Sequence, residues 1–300
     1  MTGTPGAATS LKHYLALFLL AAIWSSSFMV IKVTVDTVPP LTMTAARLVI
    51  AGLILGCVLI LKGEKLPRDP RVWAICILLG FFGNALPFTL ISWGEKEIPS
   101  SLAAILMAVM PLATVLLAHF FSPGERATRN RLVGIAVGFG GVVILVGPSA
   151  LKGLGSDVLS QVSVACGAIS YAISAILVKN MPPSSLLGRS VVVMICASAV
   201  MVPAAFWVDE PLMLAPAMPA IWGTLYLGTL PTAVATLIYF RLIAARGASF
   251  FAYINYLIPV MGVIWGALFL SEVISPEALL ALATILTGLF IANYRPRQAK

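Results

Sequence analysis

Ten stretches of this chain are almost uninterruptedly apolar for about 20 residues each, and no other feature limits its fold so severely. They fall at 14–35, 41–61, 72–93, 99–120, 129–147, 158–178, 187–207, 219–241, 248–270 and 277–293. A helix rises about 1.5 Å per residue, so about 20 residues match the roughly 30 Å hydrocarbon core of a bilayer. No water reaches the backbone there, which leaves the helix as the form that pairs each N–H with a C=O inside its own segment. The reading is therefore an all-α, polytopic membrane protein with ten transmembrane helices. Composition agrees, because only 10% of residues are charged where a soluble domain carries about 25%. Ten spans use nearly all of the 300 residues, so no soluble domain is expected. The first window runs into Lys32 and lacks a small-residue cleavage site, so it reads as a retained span rather than a signal peptide. Cys57, Cys76, Cys166 and Cys196 all lie in apolar runs, where they act as small hydrophobes rather than as a disulfide framework.

Positive charge sets the expected orientation, since Lys and Arg at span ends are retained on the cytoplasmic side. With the N-terminus inside, the cytoplasmic segments carry Lys12, then Lys62, Lys65, Arg68 and Arg71, then Arg126, Arg129 and Arg131. They go on with Lys179 and Arg189, Arg241 and Arg246, and Arg295, Arg297 and Lys300. The opposite side holds Lys32, Lys96 and Lys152 alone. Both termini are expected in the cytoplasm. The net charge of +8 is scattered over span ends and forms no basic face interleaved with aromatics, so nucleic acid is not an expected partner.

The second half repeats the first at an offset of 147 to 148 residues. Ile23 to Lys32 superposes on Ser170 to Lys179, and each segment runs into a Pro-Pro pair, Pro39-Pro40 and Pro182-Pro183. Gly80 meets Gly228, Ser101 meets Ser249, Pro111 meets Pro259, Glu125 meets Glu272 and Gly141 meets Gly288. The expected organisation is a tail over 1–13, a five-helix repeat over 14–150, a second over 151–293 and a tail over 294–300. Five is odd, so the second repeat enters the membrane upside down. Inverted halves allow two states of similar energy, each open to one side. That is the architecture of alternating access.

Polar and aromatic residues inside the spans mark the expected path. Helix 3 spaces Gly80, Asn84, Pro87 and Phe88 for one α-helical face, and helix 8 repeats that face with Gly228, Thr232, Ala235, Thr236 and Tyr239. Unsatisfied amides and hydroxyls are costly in hydrocarbon, so Asn84 and Thr232 are expected to face a cavity or another helix. Helix 4 adds Met107 and Pro111; helix 9 adds Tyr253, Asn255 and Pro259. Trp24 and Ser27 of helix 1 occupy the places of Tyr171 and Ser174 in helix 6. Arg47 lies about seven residues, roughly 10 Å, into helix 2, and reads as a long side chain reaching outward or bonding helix-end carbonyls, with a substrate or gating contact as the alternative. Glu125 and Glu272 read as helix-end caps or boundary anchors. The glycines Gly134, Gly138 and Gly141 of helix 5, with Thr284, Gly288 and Ala292 of helix 10, have the spacing that lets helices approach closely. Within the spans, His119 near a helix end is the one residue weighed as a proton carrier, so facilitated rather than proton-coupled movement is expected.

The stretch Trp24-Ser25-Ser26-Ser27-Phe28, the Ala46-Arg47-Leu48 step, and the two blocks Pro111-Leu112 to Glu125 and Pro259-Val260 to Glu272 resemble the drug/metabolite transporter superfamily, in particular its ten-helix EamA-type exporters. The resemblance covers nearly the whole chain. It implies a bacterial inner-membrane exporter with a central cavity between helices 1, 3, 4, 6, 8 and 9, and its aromatic amino acid exporters are the most similar group. The expected partners are a small-molecule substrate, an amino acid, and the lipid bilayer, with the chain a monomer or weak homodimer. No cofactor or metal is expected. Neutral amino acids with large apolar side chains fit the inferred lining, whereas a midplane without charge offers nothing to a charged side chain.

Other classes fit less well. A purine, a nucleotide-sugar or a quaternary drug is a competing substrate on the same fold. A channel lacks a ring of acidic side chains or a carbonyl-filter sequence. An intramembrane enzyme lacks a nucleophile with its base, an HExxH or a GxSxG motif. Topology is directly testable: cysteines introduced at Gly3 and Gln298 are expected to resist a membrane-impermeant thiol reagent in intact cells while one at Ser156 reacts. Labelling of either terminal site refutes the orientation.

Overall fold

The computed structural model describes residues 11–121, 128–151, 156–179 and 181–293; Glu125 and both tails lie outside them. Among the described residues ten helical passes succeed one another: α1 Leu11–Thr34, α2 Pro40–Leu61, α3 Pro70–Gly94, α4 Ser100–Phe121 and α5 Arg129–Leu151 in the first repeat. In the second come α6 Ser156–Lys179, α7 Leu186–Val208, α8 Met218–Gly247, α9 Ile254–Phe269 and α10 Pro276–Asn293. Among the described residues nine are long and apolar enough to cross a membrane, and α9 is the shorter tenth. The chain is thus a polytopic all-α membrane protein, as its hydropathy requires.

Prolines shape the helices from within. Pro111 has no N–H to give the carbonyl four residues back, that of Met107, and α4 is interrupted by a turn at that residue. Helix α8 runs past the apolar window ending at 241 because the lipid boundary does not end a helix. It ends at Gly247, whose φ of 76° suits glycine. Residues 248–251 are helical again, as the apolar window from 248 predicts, and after a turn at Ala252 and Tyr253 α9 runs on from Ile254.

Packing follows the repeat. Helix α1 lies on α9 as α6 lies on α4; α3 lies on α6 as α8 lies on α1; α2 meets the middle of α8 as α7 meets α3. Three pairs, α2 with α7, α4 with α9, and α5 with α10, are related to themselves. This is what exchanging two inverted halves demands. Call the end of the bundle where α1 begins the near face, and the other the far face. Helix α4 packs on α9 through Ser100–Leu106, its far half, whereas Val109–Phe121 packs on α6 and α5. A core of Phe28, Ile31, Val35, Ile98, Ala104 and Val263 closes the far end.

The α5–α10 pair is a scaffold built on small residues. A Cβ at Gly134 would strike the backbone of Gly288 and Ala292, and one at Gly288 would strike Gly138. Gly141 lies against Ala281 and Ile285, while Thr284 is half-buried and bonds its own helix at Leu280. Gly288→Val should separate the helices and destabilise the protein by more than the roughly 1–3 kcal/mol of ordinary overpacking. Gly140→Val, where no atom lies within 4 Å of the added Cβ, should not. Thermal unfolding in detergent micelles measures the difference.

Candidate functional site

Midway along α3 and α8 the α-helix gives way to π-helical turns, at Phe81–Ala85 and Gly228–Val234. These segments are equivalents in the repeat. Each precedes or contains a proline, Pro87 or Pro231, that cannot continue the regular ladder. The shift has a definite consequence for backbone groups. The Leu86 amide bonds Phe81, five residues back, and so leaves the Phe82 carbonyl without its α-helical donor. Ser170 of α6 supplies one, its hydroxyl donating at 2.7 Å. In the other half the Ala235 amide bonds Leu230, which frees the Pro231 carbonyl. The Trp24 indole of α1 donates to it at 3.0 Å. Each repeat therefore closes the backbone defect of the other.

Asn84 and Thr232 belong to these turns. The Asn84 amide donates to Leu79 at 3.2 Å and the Thr232 hydroxyl to Leu227 at 2.8 Å, each reaching five residues back. The single α-helical face expected for Gly80, Asn84, Pro87 and Phe88 does not survive, because a π turn rotates the residues beyond it. Gly80 instead permits close approach to the backbone of α7 at Val193 and Ala197, and Gly228 to α2 at Arg47 and Ile50.

Arg47 overturns the expectation of an outward-reaching side chain. It is only 7% exposed, and its Nε donates to the Thr232 hydroxyl at 2.7 Å. Its guanidinium lies 3.7 Å above the centre of the Phe88 ring, whose edge meets Tyr171. The inward course follows from the Gly228 contact, which brings α8 onto α2 at the turn where Arg47 stands. Among the described residues no carboxylate forms an ion pair with it. The expectation of a midplane without charge is corrected accordingly.

A second aromatic group adjoins the first through the Pro231-Thr232 step. Trp24 packs on Tyr239 and Phe251, with centroids 6.2 and 6.0 Å away, and Tyr239 and Phe251 are 4.8 Å apart. Ser27 is buried and Ser174 half-buried, and both hydroxyls return to carbonyls of their own helices. Gly83 of the π turn sits against Ser174. Met107 packs on the far-face core, Pro111 is half-buried beyond the break in α4, and Pro259 is buried inside α9. Asn255 is half-buried near the start of α9. Tyr253 stands apart, 58% exposed with its ring on Phe250. Of the expected lining, Phe88 meets Tyr171 and Trp24 meets Tyr239, Arg47 joins Phe88 to Thr232, and Asn84 stays bonded within its own π turn.

The far face carries a latch. Glu272, following α9, accepts from the Ser100 amide and hydroxyl at 2.7 and 2.8 Å and from the Ser101 amide at 2.9 Å. It caps the start of α4, as expected of a helix-end glutamate. Partial burial raises its carboxyl, but the hydrogen bonds from Ser101 and Ser100 outweigh that and hold it below the usual carboxylate range. A cleft of about 790 Å³ between α1, α8 and α9 lies apart from all this. Its walls include the exposed Trp222 and Phe269, so it is a lipid-facing groove.

The sequence matches the EamA-like transporter family twice, over residues 11–147 and 156–294. The chain belongs to this family. It is 29% identical over 247 residues to the uncharacterized inner membrane transporter YedA of Escherichia coli K12, covering 81% of this chain and 79% of the relative. It is 27% identical over 284 residues to a probable terminal-alkyne amino-acid exporter of Streptantibioticus cattleyicolor, covering 93% of both. PagO of Salmonella typhimurium is 24% identical over 291 residues. A solved crystal structure with 20% identity superposes over 94% of this chain and 97% of its own, with a TM-score of 0.67, and shows the same fold. The chain is a membrane transporter of the EamA type.

The Arg47–Thr232 bond joins the two repeats and is open to measurement. Thr232→Val leaves the buried Nε without an acceptor and should cost about 1–3 kcal/mol. Combined with Arg47→Met, it should cost less than the sum of the two by about 0.5–3 kcal/mol. Denaturation in micelles checks this, and strict additivity would show that the two groups act separately.

Proposed function

We propose that this EamA-type transporter exports neutral amino acids with large apolar side chains across the bacterial inner membrane, with both termini cytoplasmic. One observation carries the reading. A buried guanidinium, without an ion partner among the described residues, stands beside two aromatic groups where the two repeats meet. A guanidinium held at Nε keeps its remaining N–H groups for an acceptor, and a carboxylate is the acceptor it suits best. An aromatic ring or thioether then finds stacking surface on Trp24, Tyr239 and Phe251 or on Phe88 and Tyr171. Desolvating a second charge, on a Lys or Glu side chain, has no counter-charge to offset it there.

The alternatives meet the same residue. A quaternary cation is repelled by Arg47. The amino-acid exporter among the relatives supports the class of cargo, and the relative described as an inner membrane transporter supports the location. Alternating access follows from the inverted halves: the far ends of α4 and α9 are joined while their near ends pack elsewhere, so the path runs from the near face.

Counterflow in proteoliposomes tests the substrate. Phe, Trp, Tyr and Met should move in preference to Lys and Glu, and phenylalaninamide, which lacks the carboxylate, should compete at least tenfold less well than Phe. Arg47→Met should lower Phe transport by a similar factor, because a hydrogen bond to a charged group contributes about 1.5–3 kcal/mol and 1.4 kcal/mol is tenfold. Asn84→Trp should block transport while leaving folded protein in the membrane. Equal rates for Lys, Glu and Phe, or full Phe transport by Arg47→Met, would refute the assignment.

A further inference from the structure

Glu95 is the residue that caps the C-terminal end of α3, one position beyond the apolar span, where a glutamate ordinarily stands in water. Here it is 0% exposed, and neither oxygen of its carboxyl has a hydrogen-bond partner among the described residues. Its burial has a specific cause in the preceding residue. A Cβ at Gly94 would lie 2.6 Å from Val164 and 2.7 Å from the Ser160 carbonyl, so glycine lets the end of α3 press onto α6. Lys32 of α1 closes the site from another side. Its ammonium donates to the backbone carbonyls of Glu95 and Lys96 at 2.7 and 3.2 Å, and it does not pair with the carboxylate.

The surrounding charges do not supply what is missing. Lys32 from α1 and Arg47 from α2 favour the ionised form, and Glu272, following α9, opposes it. On α6 the nearest ionisable side chain in sequence is Asp157, exposed on the turn before Ser160. The Ser160 hydroxyl is itself buried without a partner. An ionised carboxylate taken from water into such a place loses its hydration and gains no donor, so the proton is retained. Burial accordingly holds the Glu95 carboxyl well above the usual carboxylate range, Lys32 and Arg47 notwithstanding. Glu272, in the same far-face region, is held charged by its serines. Two glutamates of one gate are thus set to opposite protonation states by their partners.

We propose that Glu95 is a proton-binding site of the far-face gate: the gate closes as in this structure with the carboxyl protonated, and opening admits water and releases the proton. The sign follows from linkage. The closed state holds the proton more tightly than the open one, so low far-side pH favours closure. That preference is complete below the solvated pKa, about 4.3 for a glutamate. It is lost as pH rises towards the buried value, by up to about tenfold in the closed-to-open ratio per pH unit. Movement of substrate then depends on far-side pH.

Spin labels on cysteines at Leu159 and Val273, both exposed at the far ends of α6 and α9, report the gate by pulsed dipolar spectroscopy in full-length protein whose native cysteines are replaced. The short-distance population should fall from pH 5 to pH 9, and Glu95→Gln, a neutral mimic of the protonated side chain, should hold it high throughout. Infrared difference spectra over the same range should show a protonated-carboxyl stretch that is lost with Glu95→Gln. Distances independent of pH in the unsubstituted site, or a pH response that persists in Glu95→Gln, would overturn the proposal. Should Glu95→Gln fail to fold, absence of the carboxyl stretch in the native protein would overturn it equally. No substrate is needed, so the result is independent of the cargo assigned above.

Discussion

A peptide carbonyl inside hydrocarbon must find its donor within the protein, and the two carbonyls released by the π turns of α3 and α8 organise the centre of this molecule. Phe82 takes its donor from Ser170 and Pro231 from Trp24, each across the boundary between repeats. A helical defect is thereby converted into an attachment between halves. These attachments are hydrogen bonds between one side chain and one backbone group, so they can be released and remade. A helix with an unbroken ladder has no free acceptor to offer and could be held only by packing.

The same turns explain where charge can be tolerated. Arg47 would be costly in a lipid-facing position, yet at the waist of the bundle it has the Thr232 hydroxyl for its Nε and the Phe88 face beneath it. Thr232 serves both purposes, since its hydroxyl donates to Leu227 and accepts from Arg47. One side chain thus ties the π turn to the charge. The neighbouring aromatic groups exclude water, which strengthens whatever the guanidinium binds. Towards the lipid, by contrast, Trp93, Tyr14 and Trp207 lie exposed near helix ends, as interfacial aromatics do.

Rigidity and motion are divided among helix pairs. The α5–α10 seam, where glycines bring backbones into contact, is held by close packing. The far-face closure is different in kind. It rests on Glu272 across the α4 cap, on Gly262 against Ala104, and on Lys32 bonded to carbonyls at the end of α3. Polar latches of that kind exchange readily with water once a gap forms, which suits a gate.

Much of this was legible in the order of residues alone. Ten apolar runs fix ten helices because hydrocarbon permits no other regular single-chain segment, and an odd number per repeat makes the repeats inverted. Trp24, Phe88, Tyr171, Thr232 and Tyr239 were legible as a polar and aromatic set from their depth inside the spans, where an unsatisfied hydroxyl is costly. Tyr253 has the same chemistry and yet stands apart, since composition does not say which way a side chain at a helix start points. The π turns escaped an α-helical face assignment because they depend on a proline and on a donor from a distant helix together. Arg47 and Glu95 show the remaining boundary most clearly. From sequence, one is a charge roughly 10 Å inside a span whose long side chain can reach outward, and the other a loop residue, so each has water within reach. Only the approach of α8 at Gly228, and of α6 at Gly94, removes that water. Burial is a property of the neighbours a residue acquires, and those neighbours are set by contacts far apart along the chain.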